Sequence, residues 1–461
     1  LNGLVGKVAG VNITTTASAP GSSSRVVLRG GSSITGSNQA LIVVDGVPID
    51  NSSIIGGADS RSSIDFGNRG NDINPEDIES MTVLKGPAAA ALYGSRASNG
   101  ALIITTKSGK KGANQKNEVT FNTTTTFSNI LKFPEFQTQF GQGGDGEPDP
   151  RENWSWGPAF DGSMKPWGQS INGVQLEKPY VNQPDNVKKF FELGTALTNN
   201  LSLSGAGEKT TYYLSLNTLN SDGVMPGNYD KYAKYGVRFN AATQLSHNIT
   251  SSINVNYNKI QSSMIQGGQG PGSVYDNVIQ TPRDIPLHKM GDLNNPYYSF
   301  GGVLFDADGN DQYGYYGAYT NSPYWVLRNY KNQNEVDRIT GNFSISYQPV
   351  KWLTLSERLG IDNYADRRRY KYPKFNFAPA DDAGNYDPDQ VHTEVGKYEE
   401  GSYNLSEITH DFMITAQHQF SPDFNASLML GNNIRQRNFS SVSAATNEAN
   451  GLVVPGWYNL G

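Results

Sequence analysis

The amino-acid sequence predicts an antiparallel membrane β-barrel wall preceded by a small α/β domain, and three observations predict it. Near the N-terminus, three short apolar runs and one helix signal are bounded by Gly, Pro, Asn and Asp. From residue 118 onward, long segments alternate apolar and polar side chains, as half-buried strands do. The links between those segments run short, long, short, long, an asymmetry that outer-membrane barrels share.

Composition narrows the alternatives. Only 36% of the 461 residues are hydrophobic, and Tyr (25) and Phe (19) supply much of the large apolar surface. No window reaches the roughly 18–20 apolar residues of a membrane helix, so a helical membrane protein is excluded. A membrane β-barrel is not, because its lipid-facing residues alternate with polar ones. The formal net charge of −6 argues against nucleic acid as a partner. Cys is absent, which removes disulfide scaffolds, Cys zinc sites and Cys nucleophiles.

In chain order, residues 1–16 read as a short helix or turn followed by a strand, and 18–24 as a small-residue loop. Apolar runs at 26–28, 41–44 and 102–104 read as short buried strands. In the first, Arg25, Val27 and Arg29 share one face while Val26 and Leu28 share the other. Asp45-Gly46 is a tight hairpin signal, with the aspartate a turn residue and not an acid catalyst. Residues 51–70 form a polar loop, Asn74-Pro75 starts a turn, and 77–85 is a strand with Met81 and Val83 on one face. Pro87 in a first turn, helix formers at 88–92 and Gly94 as a stop mark one short helix.

The order LRGxxSI, VVDGVP, INPEDIES, VLKGPAAAALYGSRASNGAL and IITTKSG resembles the plug domain of TonB-dependent outer-membrane transporters, most closely their SusC-like branch. ALYGSRASNG is its most diagnostic piece. The resemblance covers about the first quarter of the chain closely and the rest in architecture. It implies a plug at 1–111 inside a wall at 112–461, with SGKKG near 108–112 as the hinge. Plug core and plug–wall contacts are then expected at Arg25, Arg29, Asp45, Gly46, Glu79, Lys85, Gly94 and Arg96, with Arg25 and Arg29 either solvated or paired with carboxylates of the wall. It also implies a signal peptide and energy-coupling box upstream, a SusD-like surface lipoprotein as lid, the TonB energy-coupling complex as inner-membrane partner, and the lipid bilayer around the wall.

The wall segments fall near 118–127, 198–205, 210–220, 232–246, 249–261, 336–348, 352–364, 406–420 and 424–437, about nine strands. Ile253, Val255 and Tyr257 alternate with Asn254, Asn256 and Asn258, and Phe343, Ile345 and Tyr347 with Ser344, Ser346 and Gln348. Such strands suit a lipid-facing wall around a wet lumen, and equally a soluble sandwich. The links decide: tight ones at 205–209, 246–248, 348–352 and 421–423 alternate with long ones at 128–197, 221–231, 262–335, 365–405 and beyond 438. A barrel that surrounds a plug needs roughly 22 strands. The sequence is therefore expected to be part of a longer chain.

Other constellations are weaker. Trp154, Trp156 and Asp161 lie in an acidic, aromatic loop at 141–168, and Tyr315, Tyr316, Tyr324 and Trp325 in a tyrosine-rich run at 297–330. Both groups are candidates for ligand or partner contact, against loop packing. Asp306, Asp308 and Asn310 have calcium-loop spacing, but Gly317 stands where an EF-hand needs Glu. His247, His288, His392, His410 and His418 show no metal-pair spacing, and Arg367 to Arg369 read as a loop-base charge cluster. No metal, cofactor or catalytic motif is present. The function implied by the resemblance is active import of glycan or peptide fragments by plug displacement, with no enzyme chemistry. The alternative is a docking or scaffold subunit of a larger outer-membrane assembly. A soluble glycan-binding or glycan-cleaving protein, whose hydrolase form would need two converging carboxylates, is disfavoured by the regular links.

Overall fold

The structure, a computed structural model, describes residues 11–15, 17–28, 30, 34, 38–53, 64–109, 117–149, 153–171, 174–270, 272–295, 321–377, 392–422 and 424–460. Expectations for Arg29, Tyr315, Tyr316, the 306–310 loop and hinge residues 110–112 lie outside the described residues.

The N-terminal domain begins with β1 (Val11–Thr15) paired antiparallel to β2 (Ser24–Leu28). A four-stranded sheet follows, built from β3 (Leu41–Val44), β4 (Val47–Ile49), β5 (Ile78–Leu84) and β6 (Ala101–Thr106) in the order β4-β3-β6-β5. β3 and β6 run parallel, a pairing that requires a long connection, and the connection carries α1 (Pro87–Tyr93). Pro87 occupies the first turn, where its missing N–H is no loss, and Gly94 at φ 66° ends the helix by donating its N–H to the Ala90 carbonyl. Ile42, Ile49, Ile73, Leu102 and Ile104 form the main core, with Met81 and Val83 packed on it.

The second part is one nine-stranded antiparallel sheet. It contains β7 (Glu118–Ser128), β10 (Gly194–Ala206), β11 (Thr210–Asp222), β12 (Lys231–Ser246), β13 (Ile249–Met264), β14 (Lys331–Val350), β15 (Leu353–Phe377), β16 (His392–Ser421) and β17 (Phe424–Ala445), each paired with its neighbour in sequence order. Between β7 and β10 stands a separate hairpin, β8 (Met164–Ile171) and β9 (Val174–Pro179).

Polarity of the sheet is inverted relative to a soluble protein. On β13, Asn258 is 1% exposed and Tyr257 40%; on β14, Arg338 is 2% and Ile339 37%; on β16, Glu407 is 1% and Ile408 41%. Polar side chains are buried against the N-terminal domain and apolar ones face outward, as a wall between lipid and a wet interior demands. Successive side chains on a strand point to opposite faces, so the period-2 pattern alone produces this division.

Strands reach well past the segments that the sequence marks. β16 has 30 residues, a length of roughly 100 Å at the usual rise, against a hydrocarbon core of about 30 Å. Link 365–405 is thus largely strand, and Arg367 to Arg369 lie within β15, not at a loop base. Arg368 is buried over the rings of Phe66 and Tyr403, whereas Arg367 and Arg369 point outward to Asp337 and Glu400. The remaining long links, at the end opposite the tight turns, fold into a cap with α2 (Val274–Gln280) and α3 (Pro323–Asn329). Trp167, Phe190, Val278, Leu287, Trp325 and Phe375 are among the residues of its own apolar core.

Candidate plug and wall interface

The N-terminal domain sits against the polar face of the wall, and the seam between them is built around one arginine. Arg338 on β14 uses all five of its N–H donors. Nε and Nη2 donate to the Asp362 carboxylate of β15 at 2.9 and 2.8 Å. Nη1 donates to the Arg69 carbonyl (2.7 Å) and the Asp72 carboxylate (2.8 Å), and Nη2 also to the Asp50 carbonyl (2.9 Å). The Asp50 N–H returns to Asp362 at 2.7 Å. A planar, always-charged fork meets these five acceptors, and lysine has no equivalent geometry. Both necks of the 51–68 loop are therefore held by the wall.

A second contact centres on the β3–β4 turn. Asp45 and Gly46 both take positive φ, 49° and 83°, as a tight hairpin of that sequence requires. The Asp45 carboxylate accepts from the Thr106 N–H and hydroxyl at 2.8 and 2.7 Å, which ties the turn to the end of β6. A Cβ at Gly46 would lie 1.9 Å from Nη1 of Arg358 on the wall, so a side chain there would displace that guanidinium. Arg238 on β12 reaches Asp45 and Asp77 at 3.6 and 3.5 Å, and Asn240 donates to Thr106 and to the Lys107 carbonyl at 2.8 and 2.6 Å.

The third contact runs in the opposite sense. Arg96 of the N-terminal domain donates to Glu407 of β16 at 3.1 Å, and Arg435 of β17 grips the same carboxylate through two 2.7 Å bonds. A small apolar anchor completes the seam. Ile64 and Phe66 pack among Tyr232, Ile260, Val336, Tyr364 and Leu405 of the wall. These groups position the plug and hold it to the wall.

The other sequence candidates separate by burial. Arg25 is exposed on β2, and the aspartates of this domain meet arginines of the wall instead. Glu79 is exposed on β5, and Lys85 is half-buried just beyond it. Trp154, Trp156 and Asp161 are exposed on the cap. Trp325 is buried in the cap core against Phe375, and half-buried Tyr324 stacks edge-on against Phe190, so both are packing residues and not open contact surface. Arg338, Asp362, Arg238 and Glu407 were not singled out from the sequence. Their signal was a charge on the polar face of an alternating strand, where Asn, Ser and Thr would suffice for wetting.

The comparisons agree with this arrangement. The TonB-dependent Receptor Plug Domain family matches residues 1–101. TonB-dependent receptor P26 of Formosa agariphila is 29% identical over 418 residues, which cover 90% of this chain and 37% of that protein. TonB-dependent receptor SusC of Bacteroides thetaiotaomicron is 46% identical over 129 residues, 28% of this chain and 12% of SusC. Among solved structures, the RagAB peptide importer in its open-open state superposes with a TM-score of 0.69 at 20% identity, covering 100% of this chain and 48% of that one. The chain thus spans well under two thirds of the relatives it matches. Residues 1–101 match the plug domain of TonB-dependent receptors, and along most of its length the chain is similar to outer-membrane receptors of that kind, SusC among them, with a plug domain seated against part of a β-barrel wall.

Proposed function

We propose that the chain supplies the plug, residues 1–111, and part of the wall, residues 112–461, of an active importer that carries large polar nutrients, glycan or peptide fragments, across the outer membrane. The observation that carries this reading is the seam. A folded domain is held against a barrel wall by hydrogen bonds and ion pairs to Asp45, Asp50, Asp72 and Arg96, beside a small apolar anchor at Ile64 and Phe66. Polar contacts exchange with water at modest net cost, so such a domain can be displaced and can return. In this reading an energy-coupling complex of the inner membrane pulls on the plug through a segment before residue 1. A SusD-like lipoprotein closes the cap side, where Trp154, Trp156 and Asp161 offer exposed contact groups.

The test is deletion of the gene for the full-length receptor, with growth and uptake followed on peptide pools and on glycan pools as sole carbon source. Loss on one pool, restored by the full-length gene but not by a copy without its energy-coupling box, is the expected result. Unchanged uptake of both pools, with outer-membrane complexes disrupted, would favour the docking role instead.

A further inference from the structure

Six of the buried carboxylates face a basic side chain: Asp72, Asp77, Asp362, Asp366 and Glu407 meet arginines, and Asp284 meets Lys178. Asp230 is 2% exposed and, among the described residues, is the buried carboxylate that no Arg or Lys reaches. Its Oδ2 accepts the Met225 N–H over a long 3.3 Å, and its Oδ1 has no hydrogen-bond partner. Asp72 and Asp77 also keep one oxygen each without a hydrogen bond, but an arginine stands beside both. A buried charge without a counter-charge is strongly unfavourable, and a carboxylate so placed takes up a proton instead.

Asp230 closes the turn 223–230 between β11 and β12, where wall, cap and plug meet. The Gly223 N–H donates to the Asp230 carbonyl at 3.0 Å, and Met225 of the turn lies in the cap core. A Cβ at Gly223 would stand 1.8 Å from Oδ2 of Asp230 and 3.1 Å from Pro20 of the plug, so the carboxyl lies over the glycine with the plug loop 17–22 beside it. Tyr232, two residues on, presses its ring on Gly21 of the same loop, where a Cβ would be 2.2 Å away. The charged groups around this joint do not neutralise the carboxyl. Asp222 adds a like charge, and Lys231 pairs in register with Asp222. Glu192 of the neighbouring link accepts the Gly227 N–H at 3.3 Å, and Lys331 stands over the Tyr229 ring and donates to the Leu327 carbonyl. Plug residues 17–22 carry no charge. Burial, opposed by backbone N–H groups of the turn and reinforced by Asp222, pushes the Asp230 carboxyl up to about 7.

We propose that Asp230 is a proton-operated latch: it carries a proton while turn 223–230, the cap core and the plug loop are closed on one another, and losing that proton unlocks the joint. The proton leaves to bulk water, and the carboxylate left behind draws water into the joint. With the joint open, the carboxyl ionises near pH 4 like any exposed aspartate; with it closed, near 7. The closed form is therefore favoured fully in acid, loses about tenfold per pH unit between about 4 and 7, and loses nothing further above. The latch acts whatever the receptor carries.

Hydrogen–deuterium exchange of the full-length receptor in lipid nanodiscs tests this, read by mass spectrometry on peptides that cover 222–232 and corrected for the intrinsic exchange rate at each pH. Wild-type protection of the turn, whose Gly223 and Met225 N–H groups are bonded to Asp230, is expected to fall about tenfold per pH unit from about pH 5 to 7 and to level off from about 7 to 8. Asp230→Asn and Asp230→Ser, both uncharged at every pH, are expected to show no such fall, whereas Asp222→Asn keeps it. Wild-type protection that stays flat over the whole range overturns the proposal without recourse to any variant. The same fall in either Asp230 variant, or its loss in Asp222→Asn, overturns it as well.

Discussion

At the scale of single residues, Arg338 is where the wall's hold on the plug is most concentrated. Replacing it with alanine leaves the Asp72 and Asp362 carboxylates and two carbonyls buried without their shared donor. Breaking a buried charge pair from one side costs about 3–5 kcal/mol. Arg338→Ala is expected to lower the plug's unfolding transition in the full-length receptor while the barrel transition stays, and to admit bulky antibiotics such as vancomycin. Arg338→Lys restores charge but not the fork, so it should recover no more than about half of the loss. Calorimetry and antibiotic sensitivity check both. Counting back by twos from outward Phe343, Ile345 and Tyr347 puts Ile339 outward and position 338 inward, on the face where Val336 is also buried. The sequence could not show that Asp50, Asp72 and Asp362 meet there, because contacts between separate strands and domains leave no periodic trace.

Among elements, the cap is the part that the sequence described least well. Its long links lack periodicity, and they hide a hairpin, β8–β9, and two seven-residue helices. What fixes them is tertiary. Lys178 of β9 forms a buried ion pair with Asp284, whose other oxygen accepts the Gln142 N–H at 2.8 Å, so two separate stretches of one long link meet a second link at one carboxylate. Burial pulls the Lys178 amine below the usual lysine range, and Asp284 opposes the shift. Lys178→Met should leave Asp284 buried and unpaired, at a cost of about 3–5 kcal/mol borne by the cap alone. Limited proteolysis should then cut within 139–186 or 265–295, while heat-modifiable migration of the barrel is unchanged. Equal protease resistance in variant and wild type would show that the cap does not depend on this pair. The wall strands, by contrast, were legible at their centres and not at their outer ends. Beyond the bilayer nothing enforces alternation, so β15 and β16 continue through sequence that reads as loop.

For the whole molecule, the inverted polarity of the wall is the governing fact. Outward Phe343 stands in register with Ile253 and Leu359, three exposed apolar side chains on the outward face. Phe343→Arg is expected to cost about 2–4 kcal/mol of folding free energy in bilayers, as a cation near the membrane midplane does. Urea titration of the receptor refolded into lipid vesicles measures this, with Phe343→Leu as the conservative reference. The general design, a plug and an alternating wall, could be read from ALYGSRASNG and from the short and long links. The seam that joins them could not. The β14 clasp also bears on the order of assembly. Arg338 holds the carbonyls of Asp50 and Arg69 together, so it closes the chain between them into a ring. Closing a loop of that size costs roughly 2–3 kcal/mol of chain entropy. Within the plug the Asn51 side chain already bridges the neck, accepting from Asn68 and from the Gly70 N–H at 2.9 and 2.7 Å, so the plug can close the loop by itself and β14, once it stands in the wall, locks the closed neck in place with a second clasp.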